Sequence, residues 1–170
     1  MRTFVLPALC LALIAPATSM AGHDGVAKQA FNKMKTLVGK WTGKMNDSGQ
    51  SMAATVEYKL TGSDTALVET LGPGSPFEMV SVYHMDNDSL VMTHYCGAGN
   101  QPFMKFKPGK GANVVFFDFV SGSNMKPGDM HMHRVTHTFD GPDHVLSEWQ
   151  SFKDGKPGAK GMFDFHRVKS

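Results

Sequence analysis

The chain contains 170 residues, with 17 Lys and Arg against 15 Asp and Glu, so its formal net charge is only +2. The basic residues are scattered rather than gathered into a patch, which argues against a nucleic-acid partner or an anionic membrane surface. A length of this order favours a single domain with a hydrophobic core of its own.

Residues 1–21 have the features of an export signal. Arg2 precedes an apolar run from Phe4 to Ile14, and Ser19-Met20-Ala21 supplies a small-x-small cleavage site. We therefore expect cleavage after Ala21 and a periplasmic or secreted protein, with residues 22–170 forming one domain. The apolar run is too short to span a bilayer, and no transmembrane segment is predicted elsewhere. Cleavage would leave Cys96 as the only cysteine, which excludes an intramolecular disulfide.

Residues 26–38 have the periodicity of one amphipathic helix. Its apolar residues recur at three- and four-residue steps and include Ala27, Phe31, Met34 and Val38. Gly39 follows, as is common at the C-terminus of a helix. The apolar stripe has to be buried, and the only available surface is the rest of the domain. We expect the helix to cover one end of that domain near Trp41, with Phe31 and Met34 pointing inward.

After the helix, apolar residues alternate with a period of two, which predicts about ten β-strands. We predict them at about 40–45, 51–61, 65–71, 77–86, 89–96, 102–107, 113–120, 130–140, 144–153 and 160–169. Short turns join sequential antiparallel neighbours, and closing such a sheet removes its exposed edges. The predicted fold class is therefore all-β, a single up-and-down barrel with one short N-terminal helix. The loop from Gly97 to Gln101 would lie at the open end.

The G-x-W-x-G segment Gly39-Lys40-Trp41-Thr42-Gly43 opens the first strand after a short helix, a feature that resembles lipocalin-like and nitrobindin-like barrels. The other matching segments are Met92 to Pro102, Met130 to His133, His144 to Trp149 and Asp154 to Lys156. Together they look like exported bacterial proteins of the DUF1579 type, a group of unassigned function. The resemblance therefore implies a fold and a compartment rather than a chemistry.

Nitrobindin-like barrels hold haem through a histidine near the C-terminus, and His166 lies in the last predicted strand. The surrounding Phe165-His166-Arg167-Val168 differs from the pattern of that family. The resemblance thus leaves haem as an open alternative and assigns no haem ligand.

Histidines cluster in the predicted strand 130–140. Strict alternation puts them on one face with two apolar residues, as His131, His133, Val135, His137 and Phe139. Histidines two residues apart on a strand can share a ligand or a metal ion, and imidazole suits zinc, copper or iron. A solvated polar face would show the same pattern, so both interpretations stay open.

Two other strands carry polar side chains that could face the interior. The fifth strand places Met92, His94 and Cys96 on one face, where the last two could bind a metal or simply fill the core. Glu148 is a buried carboxylate if its face of the ninth strand points inward. It would then need a partner, such as Arg134 or a histidine on the preceding strand.

These patterns lead to three alternative functions for a chain without a recognisable catalytic motif. The first is binding of a small apolar or amphipathic molecule, with a lining of Trp41, Met92, His94, Gln101, His131, His133 and Glu148. The second is a metal- or haem-binding protein that uses His131, His133 and His94. The third is a structural or protein-interaction barrel with a filled interior. A non-catalytic role is favoured.

Overall fold

The computed structural model describes residues 22–47 and 49–169, with side chains from residue 25 onward in this part of the chain. The predicted export signal, residues 1–21, lies outside the described residues. Within them, no helix is both long enough and apolar enough to cross a membrane.

The fold is a closed antiparallel β-barrel of ten strands preceded by one short helix, as predicted. Helix α1 spans Gly22–Lys35, so it begins and ends a few residues earlier than expected. The strands are β1 Gly39–Asp47, β2 Gln50–Thr61, β3 Ala66–Leu71, β4 Met79–Asp86, β5 Ser89–Tyr95, β6 Gln101–Phe106, β7 Val114–Ser123, β8 His131–Phe139, β9 His144–Lys153 and β10 Lys156–Arg167.

Each strand pairs with its neighbours along the chain, and β1 pairs with β10 as well as with β2. This last ladder is the seam of the barrel, and it sets Trp41 opposite Arg167 and Met45 opposite Phe163. Closure gives both terminal strands a hydrogen-bonded partner, so neither is left as an exposed edge.

Gly43 permits the close backbone approach at the seam. A Cβ atom at this position would lie 1.8 Å from the carbonyl oxygen of Asp164 on β10, which no side chain tolerates. Two residues earlier, Trp41 is buried, and its Nε1 donates to the carbonyl oxygen of Leu37 at 2.7 Å. The G-x-W-x-G segment thus combines a steric requirement at the seam with an anchor for the chain that leaves the helix.

The barrel interior is largely filled by side chains from alternate positions of the strands. Its largest fully buried aromatic residues are Trp41, Tyr58, Tyr83, Phe117 and Phe165. Small barrels generally have packed interiors of this kind. A ligand therefore has room only near an end of the barrel.

Helix α1 covers the end at which β1 begins. Phe31 and Met34 are buried, as predicted. Lys35 donates from Nζ to the carbonyl oxygen of Asp64, in the turn between β2 and β3, at 2.6 Å. The helix is thus held to the barrel by its buried apolar face and by the hydrogen bond of Lys35 at the rim of the barrel.

The prediction that Val38 belongs to the buried stripe of the helix is wrong, because Val38 is 40% exposed. The helix ends at Lys35, and the turn that follows carries Leu37 into the core in its place. Helical periodicity no longer applies after Lys35. Extending it to residue 38 therefore selects Val38 in place of Leu37 as the buried residue.

Phe31→Ala should lower the free energy of unfolding by about 3 to 5 kcal/mol, because it removes a buried aromatic ring from the contact between helix and barrel. Urea denaturation provides the measurement. Gln29→Ala is the matched control, since Gln29 lies on the exposed face of the same helix and should change little. Equal, negligible losses in both variants would show that the helix does not dock.

Candidate functional site

A small cavity lies at the end of the barrel opposite α1. It has a volume of about 100 Å³, and its apolar walls come from Met45, Leu71, Met79, Met132 and Phe163. A groove of about 270 Å³ shares all of these but Met132, so the groove adjoins the cavity. Their combined size reaches the lower end of the range for ligand pockets, about 300 Å³.

His94 supplies a polar group to this cavity. It points inward from β5 together with Leu90 and Met92, as the alternation predicts, and it is buried. Its Nδ1 lies 3.0 Å from the hydroxyl oxygen of Ser81, and its ring centroid lies 4.6 Å from that of Trp149. Within the part of the chain that the structure describes, the other ring nitrogen, Nε2, has no hydrogen-bond partner. That nitrogen is therefore available to a molecule in the cavity.

Burial lowers the pKa of His94 to about 4, so the ring is neutral near pH 7. A neutral imidazole either donates or accepts a hydrogen bond through its free nitrogen, depending on the tautomer. It offers no positive charge to a carboxylate or phosphate. The cavity thus suits a molecule with an apolar body and one neutral polar group, such as a hydroxyl or an amide.

A second set of polar side chains crosses the interior, deeper in the barrel. The Tyr83 hydroxyl donates to a carboxylate oxygen of Glu69 and lies 3.2 Å from Nε2 of His137. Nδ1 of His137 in turn lies 2.9 Å from the hydroxyl oxygen of Ser147. These four side chains are buried. The Tyr58 hydroxyl is buried as well, and it has no hydrogen-bond partner among residues 22–47 and 49–169.

Burial shifts the pKa of each group in this network toward its neutral form. Desolvation raises the pKa of Glu69 to about 7, although the hydrogen bond from Tyr83 opposes the shift. Desolvation also lowers the pKa of His137 to about 3. The pKa values of Tyr58 and Tyr83 are raised by burial and by the charge of Glu69. Since packing separates these groups from solvent, we assign them to the construction of the interior and not to catalysis.

The prediction that the histidines of β8 all share one face of the strand is wrong, because β8 contains a β-bulge. The register against β9 shifts between Met132 and Arg134. A bulge reverses which residues face the interior. Met132 consequently lines the cavity, whereas Val135 and His137 are buried on the far side of the bulge.

His131 and His133 lie together at the rim, and both are partly exposed. Nε2 of His131 is 2.9 Å from Nδ1 of His133, whose ring stacks on Phe152 at a centroid distance of 3.9 Å. Nε2 of His133 lies 3.9 Å from Asp118. Desolvation lowers the pKa of His133 against the opposing charge of Asp118. These two histidines meet each other, but they do not meet His94, which bonds to Ser81 instead.

The other predicted lining residues lie apart from the cavity. Trp41 is at the helix end of the barrel, and Met92 is packed in the core. Gln101 lies on the rim, where its side-chain oxygen accepts hydrogen bonds from two neighbouring side chains. Glu148 faces away from the interior and pairs with Lys160 at 2.9 Å, since the Trp149 face of β9 is the inner one.

Sequence reasoning missed the methionine walls of the cavity and the buried carboxylate. Met45, Met79 and Met132 come from three different strands, and only the closed topology brings them together. Glu69 did carry a signal, because it occupies the same alternate positions of β3 as Leu67 and Leu71. A carboxylate on the apolar face of a strand predicts a buried polar network.

The residues present do not fit a haem group in the barrel. His166 is exposed on the outer side of β10, where its ring stacks on that of His144 at 4.4 Å. The cavity beside His94 alone, at about 100 Å³, could not enclose a group as large as haem.

Comparison with known proteins supports the architecture. No family model and no curated protein matches the sequence significantly. The solved structure of Rv2717c from M. tuberculosis is similar, with a TM-score of 0.55 and 16% identity over 82% of this chain and 98% of that chain. The fold is that of a lipocalin-like barrel.

A second solved structure is a DUF3598-family protein of unknown function from Nostoc punctiforme. It has a TM-score of 0.44 and 12% identity, over 79% of this chain and 48% of that chain. The likeness to Rv2717c, at 16% identity, shows a fold and no activity.

Glu69→Gln tests the link between burial and protonation in the interior. The pKa of Glu69 is about 7 in the folded protein against an ordinary value of 4.5, so the folded state binds this proton more tightly. The resulting stabilisation is fully present below pH 4.5 and is lost as the pH rises to about 7. Gln stays neutral and still accepts from Tyr83. Relative to the parent, the variant should therefore gain about 3 kcal/mol between these two pH values.

Urea midpoints across the pH range measure this difference, which should level off above the folded-state pKa of Glu69. His94 and His137 have lowered pKa values, so they destabilise both proteins as the pH falls below 6.5. Their contribution cancels in the comparison. A difference that does not change with pH would show that folding leaves the pKa of Glu69 at its ordinary value.

Proposed function

We propose that this protein is an exported, non-catalytic barrel that binds a small apolar or amphipathic molecule at the end opposite α1. The observation that carries the proposal is His94, a buried and neutral histidine with a free ring nitrogen at the wall of a mainly apolar cavity that Asp47 also lines. Ligand sites in barrels commonly combine an apolar lining with one or two polar groups that fix orientation.

The surroundings of the cavity support an apolar ligand body. Phe77 and Met52 line the adjoining groove and are 82% and 51% exposed. Methionine side chains are flexible and polarisable, which lets such a surface adapt to ligands of different shape. Because His94 is neutral, we expect alcohols to bind more tightly than carboxylates of the same chain length.

Gly161→Val should block the site without damaging the fold. Gly161 lines the cavity, and a Cβ there would make ordinary van der Waals contacts of 3.5 Å to Met45 and 3.8 Å to Phe163. The larger side chain would occupy the space of a ligand. Isothermal titration calorimetry with n-hexanol, n-octanol and the matching carboxylic acids should show binding to the parent protein and at least a roughly tenfold loss in the variant, about 1.4 kcal/mol.

Ser51→Val is the matched control, since it adds the same β-branched side chain at an exposed position of β2 that does not line the cavity. It should leave the affinity unchanged. Absence of binding to the parent protein, or equal binding to parent and Gly161→Val, would contradict a site beside His94. The barrel would then be better described as a structural or protein-interaction module.

Export and the closer relationship to DUF1579-type and nitrobindin-like proteins belong to the same proposal. Export is supported by the apolar run from Phe4 to Ile14 and the small residues that follow it. N-terminal sequencing of protein recovered from the periplasm or medium should begin at Gly22. Recovery of the protein only from the cytoplasm, with residues 1–21 still attached, would refute this part.

A further inference from the structure

Three potential metal ligands converge on the outer face of β9 and β10. They are His144, Asp164 and His166, and their ligating atoms all lie within 4.8 Å of one another. Nε2 of His144 is 2.9 Å from Oδ1 of Asp164, and Nε2 of His166 is 3.4 Å from the same oxygen. Among the residues that the structure describes, this is the group of His, Cys, Asp and Glu side chains that is close enough to hold an ion.

The β-ladder explains why these side chains meet. His144 and His166 are directly opposite each other in the pairing of β9 with β10, and their rings are stacked at 4.4 Å with an interplanar angle of 6°. Asp164 precedes His166 by two residues, so both point to the same side of β10. Its direct partner on β9 is Leu146, which places the carboxylate diagonally across from His144.

The spacing is close to that of a tetrahedral metal site. Zinc binds imidazole nitrogen and carboxylate oxygen at about 2.0 to 2.2 Å, which puts neighbouring ligand atoms of a tetrahedron roughly 3.3 Å apart. The two distances to Asp164, 2.9 and 3.4 Å, lie on either side of this value. The two imidazole rings would have to rotate out of their parallel stack to bind one ion, because a metal lies in the plane of each imidazole that binds it.

Asp140 supplies a second feature that is typical of metal sites. Its Oδ2 lies 3.0 Å from Nδ1 of His144, the ring nitrogen that faces away from Asp164. Metal-binding histidines almost always donate their other N–H to a carboxylate or carbonyl oxygen, which fixes the tautomer and the ring orientation. Asp140 would thus act as a positioning residue for His144.

Neighbouring cations do not neutralise the group. Lys44 is opposite Asp164 on β1, but within the described chain Asp164 has no Lys or Arg partner within 4.0 Å. Arg167 is directed elsewhere, to Asp143 and to backbone carbonyl oxygens that include that of Val38. The carboxylate therefore keeps its charge available to the two histidines or to an ion between them.

We propose that His144, Asp164 and His166 bind one divalent first-row transition-metal ion, with Asp140 holding His144 in place. Imidazole and carboxylate together suit zinc and its neighbours in the series. The side chains are 25%, 45% and 63% exposed, so the ion would be reached directly from solvent. Three protein ligands leave a fourth position open to water or to another molecule. The site lies outside the barrel, and its occupancy is independent of the cavity beside His94.

Zinc chloride is the probe, and the full protein is purified without a histidine tag and treated with a chelator. Isothermal titration calorimetry should show one zinc ion bound per chain. His166→Ala and Asp164→Asn should each weaken binding at least tenfold. Asp140→Asn should weaken it by about 10- to 100-fold, as expected when an orienting partner of a ligand is lost. His166 is exposed, so its replacement should leave the urea midpoint unchanged.

The double variant His131→Ala with His133→Ala is the control, because it removes the other surface pair of histidines and should leave zinc affinity unaltered. Zinc-soaked crystals should also give an anomalous peak between His144 and His166. The proposal would be overturned by an absence of zinc binding, by unchanged affinity in His166→Ala and Asp164→Asn, or by loss of binding in the control variant instead. None of these results bears on the cavity, which is tested separately with alcohols and Gly161→Val.

Discussion

Closure of the sheet at the β1–β10 seam is the constraint on which the rest of this structure depends. The seam requires Gly43, because the carbonyl oxygen of Asp164 occupies the space that any side chain would need. Once it is closed, every strand has two hydrogen-bonded neighbours, and alternate residues must face a common interior. In the neighbouring ladder, the pairing of β9 with β10 brings His144 and His166 together on the outside.

A closed barrel has two open ends, and this chain treats them differently. The helix seals one end with Phe31 and Met34, and aromatic residues fill the middle. Polar groups in the middle are satisfied mainly by one another, through Glu69, Tyr83 and His137, and burial favours their neutral forms. The opposite end keeps a cavity with mainly apolar walls, into which the free ring nitrogen of the buried His94 is directed. A binding function is therefore proposed for that end on the chemistry of its lining.

Much of this architecture could be predicted from the sequence, since alternation and turn residues depend on local chemistry. All ten strands and the helix were expected within a few residues of their positions, and the inward direction of His94 followed from its strand. The bulge between Met132 and Arg134 could not be predicted, because one extra residue in a strand leaves no compositional mark. Because of that one extra residue, Met132 lines the cavity, and His131 and His133 do not.

Glu148 illustrates a second limit of local pattern. Both faces of β9 carry apolar and polar residues, and only packing against the neighbouring strands decides that Ser147 and Trp149 are the inner ones. The sequence alone likewise could not predict which residues far apart in the chain come together. Met45, Met79 and Met132 are far apart in the chain, as are His144 and His166, and their meeting follows from strand register. The ligands of the outer site were therefore visible only after the pairing was known.

The most direct test of a ligand site at the open end is a methyl NMR spectrum of protein labelled at its methionines. The spectrum would be recorded during titration with n-hexanol and n-octanol. Met45, Met79 and Met132 line the cavity, whereas Met34 lies on the buried face of helix α1 at the other end. The account predicts saturable shifts of the first three methyl signals and an unchanged signal from Met34. Shifts centred on Met34, or no saturable shift at any methionine, would contradict it.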